Sequence, residues 1–337
     1  MSVELVQVKR GPLVESIHMG DIAVVDAKGN LIAYAGDPKN KVTYWRSSAK
    51  PFQAIPVVES GALERFGIEE RELAIFCASH SGEESHVATV RSILKKVGLD
   101  ESYLQCGSHA PYHAPSAAKL QEMGVKPTSV HCNCSGKHSG MLTLTQQMGV
   151  DPSTYTQLDH PVQQAMLASV SDLTDVEVEK IAIGVDGCGV PVFGLPVYNM
   201  ALAWAKLADP SGLPDKRREA VLRIRQAMMN NPHMVAGTGR TCTNLMKAAP
   251  GKIVAKSGAE AVYGFAIPSK GWGFTVKIAD GGSRAVGPVV VEALRQLNVL
   301  TQSELDEIQP MGCLISKNHR GDIVGTVEAS FKLSWTI

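Results

Sequence analysis

The sequence predicts an α+β fold: an antiparallel sheet built from N- and C-terminal strands, with a helical middle region packed on it. Three observations predict it. β-Branched and aromatic runs cluster at both ends of the 337-residue chain. Between them, apolar residues recur at three- and four-residue spacing, the period of a helix. Neither an internal repeat nor a low-complexity linker interrupts the chain. One domain, 1–337, is therefore expected, with strands over 1–45, a mostly helical middle over 46–250, and strands and helices over 251–337.

The elements follow in order. Strands are expected over 3–8, 13–17, 21–26 and 31–36, with Asp26-Ala27-Lys28-Gly29-Asn30 as a hairpin-type turn. The character changes after Lys50, where Phe52, Ile55 and Val58 mark a helix face that Gly61 closes. Val87, Val90, Ile93, Leu94 and Val97 repeat that spacing and end at Gly98. The runs Met141–Met148, Val162–Val170, Val197–Leu207 and Val221–Met228 do the same, punctuated by Gly, Pro and Asp. Ala261–Ile267 and Trp272–Ala279 read as a second hairpin around Pro268-Ser269-Lys270-Gly271. Pro288–Leu297 returns to helix, and Gly312–Asn318 with Asp322–Val327 form a last strand pair.

Charge and composition remove several function classes. With 33 basic and 33 acidic residues the chain has no net charge, hence no long-range attraction to nucleic acid or to an acidic membrane. The Lys216-Arg217-Arg218 cluster has acidic neighbours and reads as a solvated helix face. No run approaches the roughly 18 apolar residues of a spanning helix, and residues 1–11 alternate in polarity, unlike a signal peptide. Seven cysteines, an odd number without an export signal, argue against a disulfide framework and for a reducing cytoplasm.

Candidate chemistry begins at Arg46-Ser47-Ser48-Ala49-Lys50-Pro51. Residues three apart share a helix face, so the Ser47 hydroxyl and the Lys50 amine are expected to meet. A serine beside a neutral amine is a nucleophile with its own base. An ordinary lysine, with a pKa of about 10.4, needs a shift of roughly three units, about 4 kcal/mol, to serve at neutral pH. Burial and a second cation supply such shifts. S-x-x-K spacing also occurs at Ser92–Lys95 and Ser116–Lys119, so the spacing alone selects nothing. Company does. Lys256-Ser257-Gly258 follows about 200 residues later, and Ser79-His80-Ser81-Gly82 lies between. Serine acyl-transferases of the penicillin-binding type combine an S-x-x-K helix start, a loop serine and a K-[ST]-G strand in that order. The middle element here is not S-D-N.

Two further loops invite a role. His131–Gly140 is small and glycine-rich and precedes a helix, so its backbone N–H groups could face an anion. Its Cys132-x-Cys134 spacing is shorter than a zinc knuckle, but cysteine there and Asp186-Gly187-Cys188 elsewhere could together complete a tetrahedral metal site. Buried free cysteines would explain the same residues.

At this point the motifs become specific. R-S-S-A-K-P-F-Q, C-A-S-H-S-G-E, C-N-C-S-G-K-H-S-G-M, G-V-D-G-C-G-V-P, K-S-G-A-E and A-D-G-G-S-R-A resemble the bacterial L-asparaginase family of the inducible rhizobial type, across essentially the whole chain. The resemblance implies a fold like that of serine β-lactamases, penicillin-binding proteins and glutaminases. It implies two Ser–Lys pairs, Ser47 with Lys50 and Ser79 with Lys256. It implies zinc on Cys134, Lys137, Asp186 and Cys188, as support or substrate orientation and not as the hydrolytic centre. It also implies a homodimer; the hydrolytic chemistry itself calls for no organic cofactor. Arg46, His80 and Asn133 are expected around the substrate, arginine for its bidentate grip on a carboxylate, although His80 could instead orient its loop. His131, His138 and His160 are expected to be structural. The expected reaction is hydrolysis of L-asparagine to L-aspartate and ammonia through an acyl-enzyme. A glutaminase, a penicillin-recognising hydrolase and a zinc-supported binding protein are the alternatives.

Overall fold

A computed structural model describes residues 1–336. The chain forms two compact units. One comprises Met1–Thr43, Leu195–Asp209 and the residues from Asn244 onward; the other comprises Tyr44–Gly194 and Pro210–Thr243.

The first unit is built on an antiparallel sheet. Along its path lie Cys313–Lys317, Ile323–Ala329, Val3–Arg10, Leu13–Asp26, Trp272–Ile278, Val262–Ile267 and Val254–Ser257. Leu31–Ala35 branches from Leu13–Asp26 and carries the short Ser334–Trp335. N- and C-terminal strands therefore do share one sheet: Val6 pairs with Ala329, and Ile22 with Val276. The two strands expected at 13–17 and 21–26 are a single strand of 14 residues. Gly20 does not break it, because a Cβ there would sit 2.5 Å from Lys277 O and 2.6 Å from the Leu5 side chain. The glycine permits close contact and marks no turn.

Helix Val197–Ala208 packs on this sheet. Ala23 and Val25 of the long strand meet Val197, Ala201 and Leu202 in one buried cluster. Gly273 lets the helix backbone approach, since its Cβ would fall 2.1 Å from Ala201 O and Ala205 N. Val286–Leu297 and Gln302–Gly312 pack on each other, with Gly287 admitting the Met311 carbonyl.

The second unit is mostly helical and is organised around Lys50–Glu59. Every residue of that helix from Lys50 to Val58 is buried, as expected of a helix surrounded by others. Pro161–Thr174, Asp215–Asn230 and Ser135–Met148 pack against it. Each fully buried large apolar side chain, such as Phe52 or Ile55, contributes about 1.5–3 kcal/mol. Pro56 lies inside the helix and has no N–H for the Phe52 carbonyl. The Ser169 hydroxyl donates to that carbonyl instead, at 2.9 Å, so the orphaned acceptor is satisfied.

The glycine-rich stretch expected to be an anion-facing loop is largely helix, from Ser135 onward. A Cβ on Gly136 would lie 2.2 Å from Ile75 O, and one on Gly140 would lie 2.9 Å from the Phe76 ring. These glycines let two helices touch, which outweighs their low helix propensity. Ala182–Val185 forms a hairpin with the strand Pro191–Pro196, Val185 opposite Pro191, and the connecting turn carries Asp186 and Cys188.

Candidate active site

Ser47 lies in the 3₁₀ turn Arg46–Ala49 that leads into the buried helix. The approach is fixed by Trp45, whose ring stacks on Phe52 with centroids 4.7 Å apart and whose backbone N–H donates to Phe193 O. Arg46 takes a left-handed φ of 53°, costing about 1–2 kcal/mol for a residue with a Cβ. Its Nε donates to Asp186 Oδ1 at 2.8 Å, a pair mostly shielded from solvent.

Lys50 is 1 % exposed. Its Nζ lies 2.5 Å from Ala78 O, 3.0 Å from Ser79 Oγ and 3.2 Å from Cys134 Sγ. Its backbone N–H, not its amine, reaches Ser47, through the Ser47 carbonyl. Among the described residues the half-buried Ser47 hydroxyl makes no hydrogen bond. The structure thus brings Lys50 to Ser79 and Cys134 rather than to Ser47.

Ser79 follows helix Glu70–Phe76, and its N–H donates to Val235 O at 3.0 Å. His80 next to it is fully buried. Its Nδ1 accepts the Gly82 N–H at 3.1 Å, so Nε2 carries the proton and donates to Ser135 Oγ at 2.8 Å. Burial first, then the neighbouring His86 and Lys50, hold its pKa well below the ordinary histidine value. With both nitrogens committed, His80 orients the loop. Asn133 is tied down by its backbone, the N–H to His109 Nε2 at 2.9 Å and the carbonyl to His80 N at 3.2 Å.

Cys134, Lys137, Asp186 and Cys188 come together in this unit. Lys137 Nζ is 3.1 Å from Cys188 Sγ, and Cys188 Sγ is 3.9 Å from Asp186 Oδ2. Hydrogen bonds from Cys132 and Cys188, then Lys50 and Lys137, push the Cys134 thiol down, against the effect of burial. Lys137 is pushed up by Cys188, Cys134 and Asp186 although burial opposes it. Two thiols and a carboxylate with one oxygen left over from Arg46 are ligand types that zinc takes, with the Lys137 amine beside them, although Cys134, Asp186 and Cys188 do not bring one donor atom each within 4.8 Å of one another. All seven cysteines are free thiols.

Glu83, His86 and His233 form a second cluster, with one donor atom from each lying within 4.8 Å of the others. Here His86 and Glu83 are already committed. His86 Nδ1 accepts the Glu83 N–H at 3.2 Å and Nε2 donates to His233 O at 2.9 Å. Glu83 accepts from Thr238 N at 2.7 Å and Thr238 Oγ1 at 2.8 Å, and contacts His233 Nε2 at 3.1 Å. His80, His86 and His233 stack in one column, centroids 5.2 and 4.8 Å apart. Nothing in the sequence pattern announced this network, since its partners lie about 150 residues apart.

Lys256 lies in the sheet unit, on strand Val254–Ser257 opposite Gly264. It is buried, and its amine donates to Ser257 O at 2.6 Å. The bend that follows is strained, with Glu260 and Ala261 at φ of 58° and 53°, and the Lys277 amine holds the Glu260 carbonyl.

The remaining candidates have structural duties. His131 Nδ1 accepts Thr128 N–H, and His160 caps Pro161–Thr174 by accepting Val162 N–H. His138 Nδ1 meets the Tyr155 hydroxyl at 2.6 Å. Ser92 donates to Glu72, while Lys119 pairs with Glu84 at the surface. A surface cleft lined by Leu63, Ile68, Glu69, Glu70, Leu73, Arg223 and Gln226 contains no nucleophile. Among the described residues no helix is long and apolar enough to cross a membrane.

Residues 6–329 match the family described as L-asparaginase II. Among solved structures, one named Mglu aligns with 83 % of this chain and 67 % of its own, at 15 % identity and a TM-score of 0.39. A second, from Bacteroides dorei DSM 17855 and named for a suggested beta-lactamase, aligns with 82 % of this chain and 93 % of its own, at 14 % identity and a TM-score of 0.39. No curated protein sequence matches.

Proposed function

The chain belongs to the L-asparaginase II family of amide hydrolases, and from that premise we propose that it hydrolyses L-asparagine to L-aspartate and ammonia through a Ser–Lys acyl-enzyme. The observation that carries the reading is the buried Lys50 amine, one turn after Ser47 and 3.0 Å from the Ser79 hydroxyl.

Ser47 is the proposed nucleophile, because its hydroxyl is half-buried and unengaged, whereas Ser79 is 6 % exposed. Ser47 Oγ attacks the side-chain amide carbon and Lys50 takes its proton. The C–N bond then breaks, and the proton passes from Lys50 through Ser79 to the leaving nitrogen, which departs as ammonia. Water, deprotonated by the same lysine, cleaves the acyl ester and releases aspartate. Lys256 stays in the proposed set on the family resemblance alone, as does a homodimer.

Cys134, Lys137, Asp186 and Cys188 would hold Zn²⁺, which when bound would fix the two loops and orient a polar substrate. The protein's own residues already tie those loops together: Arg46 clamps Asp186, and the Lys137 and Lys50 amines meet the Cys188 and Cys134 sulfurs. Asn133 precedes Cys134, and its side-chain oxygen lies 3.2 Å from His109 Nε2.

A second reading makes Ser79 the nucleophile, favoured by its direct bond to Lys50. Ammonia release by Ser47→Ala and Ser79→Ala variants decides between them. The first reading expects Ser47→Ala to retain under about a thousandth of kcat and Ser79→Ala to retain more, because a relay is replaced by water more easily than a nucleophile. The reverse order overturns it. The same assay with L-glutamine tests the substrate: one methylene is worth only about 1–3 kcal/mol, or 10–200-fold.

A further inference from the structure

Arg46, the cation first expected to grip the substrate's carboxylate, already faces a carboxylate of the protein, Asp186. Another arginine in the same unit does not. Arg240 is half-buried, its guanidinium 5.6 Å over the Tyr112 ring, and it has no ion pair among the described residues. Tyr112 in turn stacks on His109, centroids 4.7 Å apart, and His109 Nε2 holds the Asn133 N–H. The row Arg240–Tyr112–His109–Asn133 thus ends one residue from Cys134, which touches Lys50.

The loop that presents Arg240 is held against the Ser79 segment at three points. Val235 O accepts from Ser79 N, Ala236 O accepts from Ser81 Oγ at 2.8 Å, and Glu83 clamps Thr238 through both carboxylate oxygens. Gly237 sits at φ +110° with no room for a Cβ, which would meet Glu83 Oε1 at 2.6 Å and Ser81 Oγ at 2.8 Å. From the other side, His113 N–H donates to Ser81 O, so Tyr112 is anchored to the same segment. A planar guanidinium fixed on an aromatic face, with its N–H fork unspent, is suited to bidentate carboxylate recognition.

We infer that Arg240, presented by the Glu83-clamped loop, is the residue that recognises the α-carboxylate of the amino-acid amide. The inference rests on the proposed amidohydrolase reading and adds a specificity residue to it.

Steady-state ammonia release with L-asparagine and with 3-aminopropanamide, which lacks the α-carboxylate, tests it in wild type, Arg240→Gln and Arg240→Lys. Arg240→Gln should raise the L-asparagine KM by about 10–100-fold with kcat within a few fold, and Arg240→Lys should fall between, since it keeps the charge but loses the fork. With 3-aminopropanamide, kcat/KM should be the same in all three. Inhibition by L-aspartate should weaken in step with the asparagine KM. An unchanged KM, or an equal loss on both amides, overturns the inference while leaving the hydrolase reading intact. A wild-type protein that releases ammonia from neither asparagine nor glutamine overturns the hydrolase reading and this inference with it. Matching thermal melts exclude misfolding as the cause of a loss.

Discussion

Two clusters in the helical unit hold the kinds of atoms that bind metals, and they differ in what those atoms are already doing. Around Glu83, His86 and His233 the donors are packed within 4.8 Å, yet His86 is held by the Glu83 N–H and the His233 carbonyl, and Glu83 by Thr238 and His233. Around Cys134, Lys137, Asp186 and Cys188 the contacts are a thiol against an amine and a thiol against a carboxylate, with lone pairs left to give. Committed hydrogen bonds make the first a clamp; the second is where we propose the metal to bind. Burial costs free energy for both unless polar groups are compensated; one is compensated by hydrogen bonds, the other would be by an ion.

The strongest way to break this contrast is to remove the amine that touches the second cluster and Ser79. Lys50→Met should lower kcat for ammonia release by about a thousandfold, within the range for loss of a general base; retention of a tenth of the activity would refute its role. Metal content is the next test. Elemental analysis should show about one zinc per chain in wild type, almost none in Cys188→Ala, and no change in His233→Ala; zinc lost only from the histidine variant would invert the comparison.

The clamp has its own signature in pH. Burial first, and then His233, lower the His86 pKa to about 4, the His233 carbonyl and Glu83 opposing. A base with a depressed folded pKa leaves the unfolded chain holding more protons between the two values. Stability is complete above pH ~6.5 and falls toward pH ~4, by about 3 kcal/mol for a shift of this size. Urea midpoints at pH 7 and pH 4.5 should diverge in wild type and converge in His86→Asn. Glu83 titrates below that window, brought down to about 2 by Thr238 and His233 against the opposing effect of burial. The smallest effect is expected at the discarded S-x-x-K motif of Ser116 and Lys119. Lys119→Ala breaks only an exposed 3.3 Å pair, so urea unfolding should move by under about 1 kcal/mol and ammonia release should not move.

Local order was readable where physics is local. The strands of both termini, the turn at Asp26–Asn30 and the amphipathic runs all announce themselves by period. Tertiary contact overrode that language at Gly20, Gly136 and Gly140, where punctuation residues sit inside elements because a neighbour's carbonyl or ring leaves no space for a Cβ. The candidate site was partly legible. Cys134, Asp186 and Cys188 carry recognisable ligand types, whereas Lys137 does not and entered only through the family resemblance. The Lys50–Ser79 bond, the Arg46–Asp186 pair and the Glu83–Thr238 clamp join residues 29, 140 and 155 positions apart. No periodicity encodes such pairs.

One feature of the sheet bears on how the chain is made. Val3–Arg10 and Leu13–Asp26 emerge well before their partners Trp272–Ile278 and Ile323–Ala329. At about 5–20 residues per second, the first hairpin waits on the order of ten seconds or more with unpaired edges. Helix Val197–Ala208 reaches it much earlier, and Val197, Ala201 and Leu202 cover Ala23 and Val25. That helix then serves as a placeholder during synthesis, shielding an apolar face before the late strands arrive. Nascent chains stalled after residue 209 should accordingly resist proteolysis within 13–26 better than chains stalled before 197; equal cleavage would rule the placeholder out.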